Sequence, residues 1–126
     1  MTLMHDDLLD HATFASLYEL ANAGTIVPQI IDLFLSEADA MLREARRALG
    51  QGDLAAVAHA AHGLRGGASF VGARQLSQQA KAMEHAADRQ CTEEVGRLLE
   101  LATATLEQTR PLILAALASP PVAPPE

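Results

Sequence analysis

The sequence predicts an all-α protein, an antiparallel up-down four-helix bundle with a short additional N-terminal helix. Hydrophobic residues form 49% of the 126-residue chain, but most are Ala or Leu, and aromatic residues form only 3%. Ala and Leu favour helices, whereas strands favour the β-branched and aromatic residues that are sparse here. Hydrophobic residues also recur with helical spacing in four long segments separated by short connections, which is typical of a bundle.

The short first helix is expected from about Ala15 to Ala23. Thr13 and Ser16 are its candidate N-caps, because a hydroxyl at this position accepts a bond from a free backbone N–H. Gly24 is expected to end it, since glycine adopts the left-handed conformation common after a helix.

The second helix is expected to begin after Thr25, with Pro28 in its first turn, and to end at Gly50 and Gly52. Its hydrophobic residues repeat along one face, as expected of an amphipathic helix. They are Val27, Ile30, Ile31, Phe34, Ala38, Met41, Leu42, Ala45 and Leu49.

The third helix is expected to be capped by Asp53 and followed by a turn at Gly72. Its inward residues are predicted to be Leu54, Val57, Ala61, Leu64 and Ala68. A fourth helix follows, and its inward residues are predicted to be Leu76, Ala80, Met83 and Ala87.

The fifth helix is expected to be capped by Thr92, with Glu93 and Glu94 in a first turn that favours carboxylates. Pro111 is expected to kink or end it. Its buried residues are predicted to be Val95, Leu98, Leu99, Ala102, Leu106 and Ile113. The bundle domain is thus assigned to residues 1–118, and the proline-rich residues 119–126 are expected to be a disordered tail or the start of a linker.

Charge and composition exclude several classes of function. The net charge is −7 and the basic residues are scattered, so the chain is not expected to bind nucleic acid. The longest uncharged run, after Arg110, contains five prolines, so no membrane insertion is expected. Cys91 is the single cysteine, and the N-terminus lacks the pattern of a secretory signal. A cytoplasmic location is therefore expected.

His62 is the candidate reactive residue. At about 100° per residue, it points about 140° away from the inward face of the third helix. The same outward face carries Ala55, Ala58, His59, Gly66 and Ser69, which are all small except His59 and form the expected partner-binding surface. An exposed imidazole offers an unprotonated ring nitrogen near neutral pH and can act as a nucleophile.

Arg65 lies one turn from His62, where its charge can neutralise phosphoryl oxygens. Gly66 and Gly67 each cost about 1 kcal/mol relative to alanine inside a helix, so their presence indicates that free space is needed here. An exposed histidine, a nearby cation and a bare surface are the parts that phosphoryl transfer requires.

The stretch from Ala60 to Ala73, which reads AAHGLRGGASFVGA, resembles the signature of histidine-containing phosphotransfer (HPt) domains, and Leu76 and Glu84 extend the similarity. The order and length of the flanking helices agree over roughly residues 8–118. The resemblance implies that His62 is the phosphoryl acceptor and that Gly66 is kept bare for docking. It also implies that Arg65 stands for the family's usual lysine, a departure that keeps the charge but adds bulk.

The resemblance further implies the partners. The family exchanges phosphoryl groups with aspartates of response-regulator receiver domains, free or within hybrid sensor histidine kinases, in multistep phosphorelays. The required Mg²⁺ is held by the receiver, so no cofactor or metal is expected on this chain. No phosphate-binding glycine loop follows a strand, which indicates a carrier and not a kinase. Whether the chain is a free protein or part of a larger kinase stays open.

Other interpretations compete with this one. His62 can be an ordinary exposed histidine, the bundle can be an adaptor that docks signalling proteins without phosphorylation, and His59 with His62 can form a weak metal site. Gln79 and Glu84 can reach the face of His62 or lie on a solvated flank. The same choice between a functional contact and a solvated surface applies to the basic cluster Arg43, Arg46 and Arg47, while surface roles are expected for His5, His11 and His85.

Overall fold

A computed structural model describes residues 8–21 and 26–118, with residues 20 and 21 described by their backbone only. Its five helices are α1 His11–Ala21, α2 Val27–Gly50, α3 Leu54–Val71, α4 Arg74–Asp88 and α5 Thr92–Ala118. The described ranges contain no strand, so the predicted all-α class is confirmed. The predicted stop at Gly24 and the predicted tail, residues 119–126, lie outside the described residues.

Helix α1 begins four residues before the predicted start, and its N-cap is Asp10. The Oδ1 atom of Asp10 accepts hydrogen bonds from the backbone N–H groups of Ala12 and Thr13, at 3.1 and 3.3 Å. The predicted caps are wrong. The hydroxyl of Thr13 donates to Asp10, and that of Ser16 donates to the carbonyl of Ala12 inside the helix. Asp10 fits this position because its carboxylate satisfies two otherwise free N–H groups.

The boundaries of α2 and α3 agree with the prediction. Pro28 lies in the first turn of α2, which ends at Gly50. Asp53 caps α3 by accepting a hydrogen bond from the N–H of Ala56 at 3.1 Å. Gly72 ends α3 with a φ of 82°, a left-handed conformation that glycine adopts without steric cost.

Helix α5 differs from the prediction at two points. Thr92 is its first helical residue, and the carbonyl of Cys91 accepts the N–H of Val95. The helix also continues through Pro111 to Ala118, so of the two predicted outcomes, a kink or an end at Pro111, the end does not occur. Proline removes one hydrogen bond, but Pro111 is exposed while Ile113, beyond it, is fully buried. Burial of Ile113, with Leu112, Ala116 and Leu117 packed against the core, holds the helix together past the proline.

Helices α2 to α5 contact one another in a ring, in which each packs against its successor and α5 packs against α2. Two ion pairs join α2 to α5: Asp39 with Arg110 at 3.0 Å, and Arg46 with Glu100 at 2.6 Å. Residue numbers rise along α2 as they fall along α5, so these two helices run in opposite directions. Such contacts are those expected of an antiparallel four-helix bundle.

Helix α1 packs against α2 and α3 at the end of the bundle where α3 turns into α4. The backbone N–H of Asp10 donates to the carbonyl of Gly72 at 2.6 Å, and the carboxylate of Asp10 pairs with Arg74 at 3.0 Å. Hydrogen bonds from Arg74 and Thr13 lower the pKa of Asp10 from 3.8 to about 2. These contacts of Asp10 attach the start of the described chain to the turn between α3 and α4.

The predicted hydrophobic stripes form the core. All the predicted inward residues of α4 and α5 are buried, as are those of α3 except Leu54, which is half-buried. The α2 stripe is buried apart from three half-buried residues that pack against the core, Ile30, Met41 and Leu49. None of the helices that the structure describes is long and apolar enough to span a membrane.

Candidate functional site

His62 projects from the middle of α3 into solvent, with 69% of its side chain exposed. Its helix is held by the buried side chains of Val57, Ala61, Leu64 and Ala68, which face the core. Because these residues fix the rotation of α3, the imidazole points outward. The predicted exposure of His62 is confirmed.

Glu84, on the neighbouring helix α4, holds the imidazole in place. Its Oε2 atom lies 3.0 Å from Nδ1 of His62. An ionised carboxylate can only accept hydrogen bonds, so Nδ1 of the neutral ring must carry the proton that is donated. The other nitrogen, Nε2, is then the one with a free lone pair.

The same carboxylate also orients Arg65. Its second oxygen, Oε1, accepts a hydrogen bond from a terminal guanidinium nitrogen of Arg65 at 3.1 Å. Only 18% of the Glu84 side chain is exposed, compared with 39% of that of Arg65. The remaining N–H groups of Arg65 donate to no residue in the described part of the chain, so they are free to bind an anion.

Contacts of α4 with the core and with α3 fix the position of Glu84. Ala80, Met83 and Ala87 are buried in the core, and Ser77 donates a hydrogen bond to the backbone carbonyl of Arg65 at 3.2 Å. These contacts leave Glu84 on the edge of α4 that faces α3. Of the two interpretations left open for Glu84, the reach toward His62 is therefore the observed one.

Gln79, considered beside Glu84, does not lie on the exposed face. Its side chain is buried, with 8% of the residue exposed. The side-chain oxygen of Gln79 has no hydrogen-bond partner among the described residues. Gln79 and Glu84 thus occupy different environments, and helical spacing alone did not predict this difference.

Three glycines lie in the interior of α3, and the structure explains them differently. A Cβ atom on Gly63 would lie 2.9 Å from the Met41 side chain, so Gly63 makes room for core packing. A Cβ on Gly67 would meet Phe34 at an ordinary 3.5 Å. A Cβ on Gly66 would meet nothing within 4 Å. No contact in the described chain therefore requires a glycine at position 66.

A surface pocket of about 450 Å³ lies beside the imidazole. Its lining consists of His62, Arg65, Gly66, Ser69, Phe70 and Ser77. Of the predicted partner-binding residues, Ala55, His59, Gly66 and Ser69 are exposed and Ala58 is half-buried. The structure therefore brings His62, Arg65 and small exposed residues together on one face.

The other sequence candidates lie away from such an arrangement. Arg46 pairs with Glu100, and Arg47 forms a close ion pair with Glu44 that lowers the pKa of Glu44 and raises that of Arg47. His11 and His85 are exposed, and His5 lies outside the described residues. No group of three or more His, Cys, Asp or Glu residues suited to a metal ion occurs in the described ranges.

Comparison with known proteins agrees with this geometry. The family model described as the Hpt domain matches residues 29–110, a range that contains His62, Arg65 and Glu84. The crystal structure of histidine-containing phosphotransfer protein B (HptB) from Pseudomonas aeruginosa PAO1 is similar, with a TM-score of 0.82 and 30% sequence identity. The match covers 87% of this chain and 94% of the HptB chain. No curated protein matches the chain.

Proposed function

The chain belongs to the Hpt domain family, and from this membership we propose that it carries a phosphoryl group on His62 and exchanges it with aspartates of response-regulator receiver domains in a multistep phosphorelay. One observation carries the proposal. A single carboxylate, that of Glu84, orients both the imidazole of His62 and the guanidinium of Arg65 on an exposed face.

Nε2 of His62 is the proposed nucleophile. With the Nδ1–H group donating a hydrogen bond to Glu84, the lone pair on Nε2 faces solvent and can attack the phosphorus atom of an aspartyl phosphate. A new N–P bond forms, the acyl O–P bond breaks, and the aspartate leaves as a carboxylate. The reverse reaction passes the phosphoryl group to another receiver.

Charge neutralisation supports each direction of transfer. Attack through Nε2 places a positive charge on the ring, which still carries its Nδ1 proton, and the Glu84 carboxylate at 3.0 Å stabilises that charge. The free N–H groups of Arg65 are placed to bind the phosphoryl oxygens. Arginine can do this without leaving Glu84, because its planar group has several donors and only one of its terminal nitrogens contacts the carboxylate.

Docking is proposed over the same face, at Ala55, Ala58, His59, Gly66 and Ser69. Gly66 is the critical one, because the absence of a Cβ allows the backbone of a partner to approach His62 closely. The Mg²⁺ that assists the transfer is proposed to be held by the receiver domain, as is usual for phosphoryl transfer involving carboxylates.

The chain is thus proposed to be a carrier between receiver domains, including those of hybrid sensor histidine kinases, and to work in the cytoplasm. Membership of a family of phosphocarriers supports this view over that of a kinase. Its binding to receivers would be transient, since each partner must leave before the next can accept the phosphoryl group.

The proposal is tested by incubating the protein with Mg²⁺ and a panel of phosphorylated receiver domains. We expect phosphate that is acid-labile and base-stable on the wild type and none on His62→Gln. The control His11→Gln changes an exposed histidine on α1, outside the docking face, and should still be labelled. Binding to receivers without labelling of a folded wild type would instead indicate an adaptor.

A further inference from the structure

Met41, on α2, packs against α3 next to the residue that carries the exposed imidazole. A Cβ atom on Gly63 would lie 2.9 Å from Cε and 3.2 Å from Sδ of Met41. Gly63 directly follows His62 in the sequence. The end of the Met41 side chain therefore contacts the backbone of α3 at the position beside His62.

Met41 is also accessible from solvent. It is half-buried and lines an open groove of about 320 Å³ between α2 and α3. Ten of the eleven residues that line this groove are hydrophobic or glycine. A small uncharged oxidant such as hydrogen peroxide fits a groove of this size, so it can reach Met41 while the bundle stays folded.

Met83 provides an internal comparison. The chain has four methionines, of which Met41 and Met83 lie in the described ranges. Met83 is on α4 inside the core, with 0% of the residue exposed. Because the core of a folded domain opens rarely, an oxidant should reach Met83 far more slowly than Met41.

The reaction of Met41 with a peroxide adds one oxygen atom to the thioether. The O–O bond of the peroxide breaks and an S–O bond forms at Sδ. The sulfur is oxidised to a sulfoxide, and hydrogen peroxide is reduced to water. The product is polar and bulkier than the thioether, and such a change disrupts packed hydrophobic contacts.

The contact between Met41 and Gly63 leaves little room for this oxygen. On one side of Sδ it would press on the backbone at Gly63, where even a methyl group is too close. On the other side it would lie among the hydrophobic residues of the groove. Either position disturbs α3 beside His62, whose ring must stay 3.0 Å from Glu84 on α4 to remain oriented.

We propose that Met41 is a redox-sensitive modification site, and that its conversion to methionine sulfoxide slows phosphoryl exchange at His62. The effect on exchange rests on the proposed function, whereas the selective oxidation of Met41 does not. The site would make phosphoryl exchange respond to peroxides.

The test uses the full chain with Cys91→Ser as the parent protein, because the exposed thiol of Cys91 also reacts with peroxide. The parent and the parent with Met41→Leu are treated with hydrogen peroxide, which is then removed. Leucine is similar in volume and has no sulfur. Met1 and Met4, which lie outside the described residues, are present in both proteins.

Peptide mass spectrometry measures the oxidation of each methionine, and labelling by a phosphorylated receiver measures transfer. We expect Met41 to be oxidised at least about tenfold faster than Met83 in the folded parent, and both at similar rates in urea. Oxidation should slow transfer about fivefold in the parent and less than about twofold in Met41→Leu. Met41→Gln, which places a polar oxygen near the position of the sulfoxide, should slow transfer without peroxide.

Equal oxidation rates of Met41 and Met83 in the folded parent would overturn the assignment of the site. An unchanged transfer rate after full oxidation of Met41, or the same loss of transfer in Met41→Leu, would overturn its effect on exchange. None of these results bears on the proposed function. Absence of labelling of the untreated parent by any receiver would overturn that function, while mass spectrometry would still decide whether Met41 is oxidised selectively.

Discussion

Glu84 and His62 are 22 positions apart in the sequence, and their side chains meet at 3.0 Å between Oε2 and Nδ1. The carboxylate comes from α4 and the imidazole from α3, so the pair depends on the packing of two helices. Because the carboxylate accepts a hydrogen bond from the Nδ1–H group, the pair determines which ring nitrogen keeps a free lone pair.

Without Glu84, the neutral ring of His62 should no longer be held in the tautomer that carries the proton on Nδ1. In Glu84→Ala we expect Nε2 to become protonated in a large fraction of molecules, and transfer from a receiver to slow by about ten- to a hundredfold, since a hydrogen bond to a charged group is worth about 1.5–3 kcal/mol. Nitrogen NMR of the ring reports the tautomer directly. Asp88→Ala, which removes an exposed carboxylate elsewhere on α4, is the control. An unchanged ring tautomer in Glu84→Ala would contradict this role.

Arg65 should increase the rate of phosphoryl transfer through its charge more than through its shape. Arg65→Ala is expected to slow phosphoryl transfer by about a hundredfold, comparable to removing one group that stabilises transition-state charge. Arg65→Lys keeps the charge and should lose only a few-fold. Single-turnover rates at saturating receiver measure the difference. Arg97→Ala, which removes an exposed arginine paired with Glu94 on α5, provides the comparison. Equal rates for Arg65→Ala and Arg97→Ala would remove Arg65 from the mechanism.

Gly66 should lower the stability of the protein while allowing a receiver to approach the docking face. Because a Cβ at this position would meet nothing within 4 Å, Gly66→Ala is expected to raise the free energy of unfolding by about 0.5–1 kcal/mol through the better helix propensity of alanine. Transfer from receivers should weaken at the same time, because the added methyl group lies on the docking face. Urea unfolding and transfer rates are measured on the same samples.

Gly63→Ala is the matched variant, one turn away on the same helix. Its new methyl group would meet Met41 at 2.9 Å, so its stability should fall relative to Gly66→Ala. If Gly66→Ala proved less stable than the wild type, or transferred at the wild-type rate, the idea that position 66 is kept bare for a partner would fail.

Asp10 should make the attachment of α1 sensitive to acid. Its pKa is lowered from 3.8 to about 2, first by the hydrogen bond from Arg74 and then by Thr13. A carboxyl whose pKa is lowered on folding stabilises the native state above its unfolded pKa, and this stabilisation is lost as the pH falls toward the folded value. Asp10→Asn should therefore be less stable than the wild type near neutrality.

The difference in urea midpoint between wild type and Asp10→Asn should stay constant above about pH 5 and shrink as the pH falls from 3.8 toward about 2. A wild-type-to-variant gap that does not change with pH would mean that Asp10 acts only as an uncharged cap.

Much of the bundle followed from local patterns. The periodic stripes of α2 to α5 identified the core, and Asp53 and Gly72 marked the ends of α3, because caps and helical spacing act over one or two turns. Local rules misplaced the start of α1 because Asp10, Thr13 and Ser16 can all cap a helix, and the bond from Asp10 to Gly72 selects among them. Local rules allowed an end or a kink at Pro111, and the end does not occur because the cost of proline is local, while the burial of Ile113 that offsets it is tertiary.

The candidate site was likewise predicted in part from the sequence, and the rest required the tertiary structure. Residue order along α3 was enough to predict that His62 points outward with Arg65 and Gly66 beside it, because all three lie on one helix whose rotation is set by its own hydrophobic residues. The choice between Glu84 and Gln79, which lie five residues apart on α4, required the packed bundle, because Glu84 contacts His62 whereas Gln79 is buried. The positions of these two side chains depend on how α4 is rotated against α3 and α5. Side-chain packing between helices determines this rotation, and the spacing of residues within one helix does not.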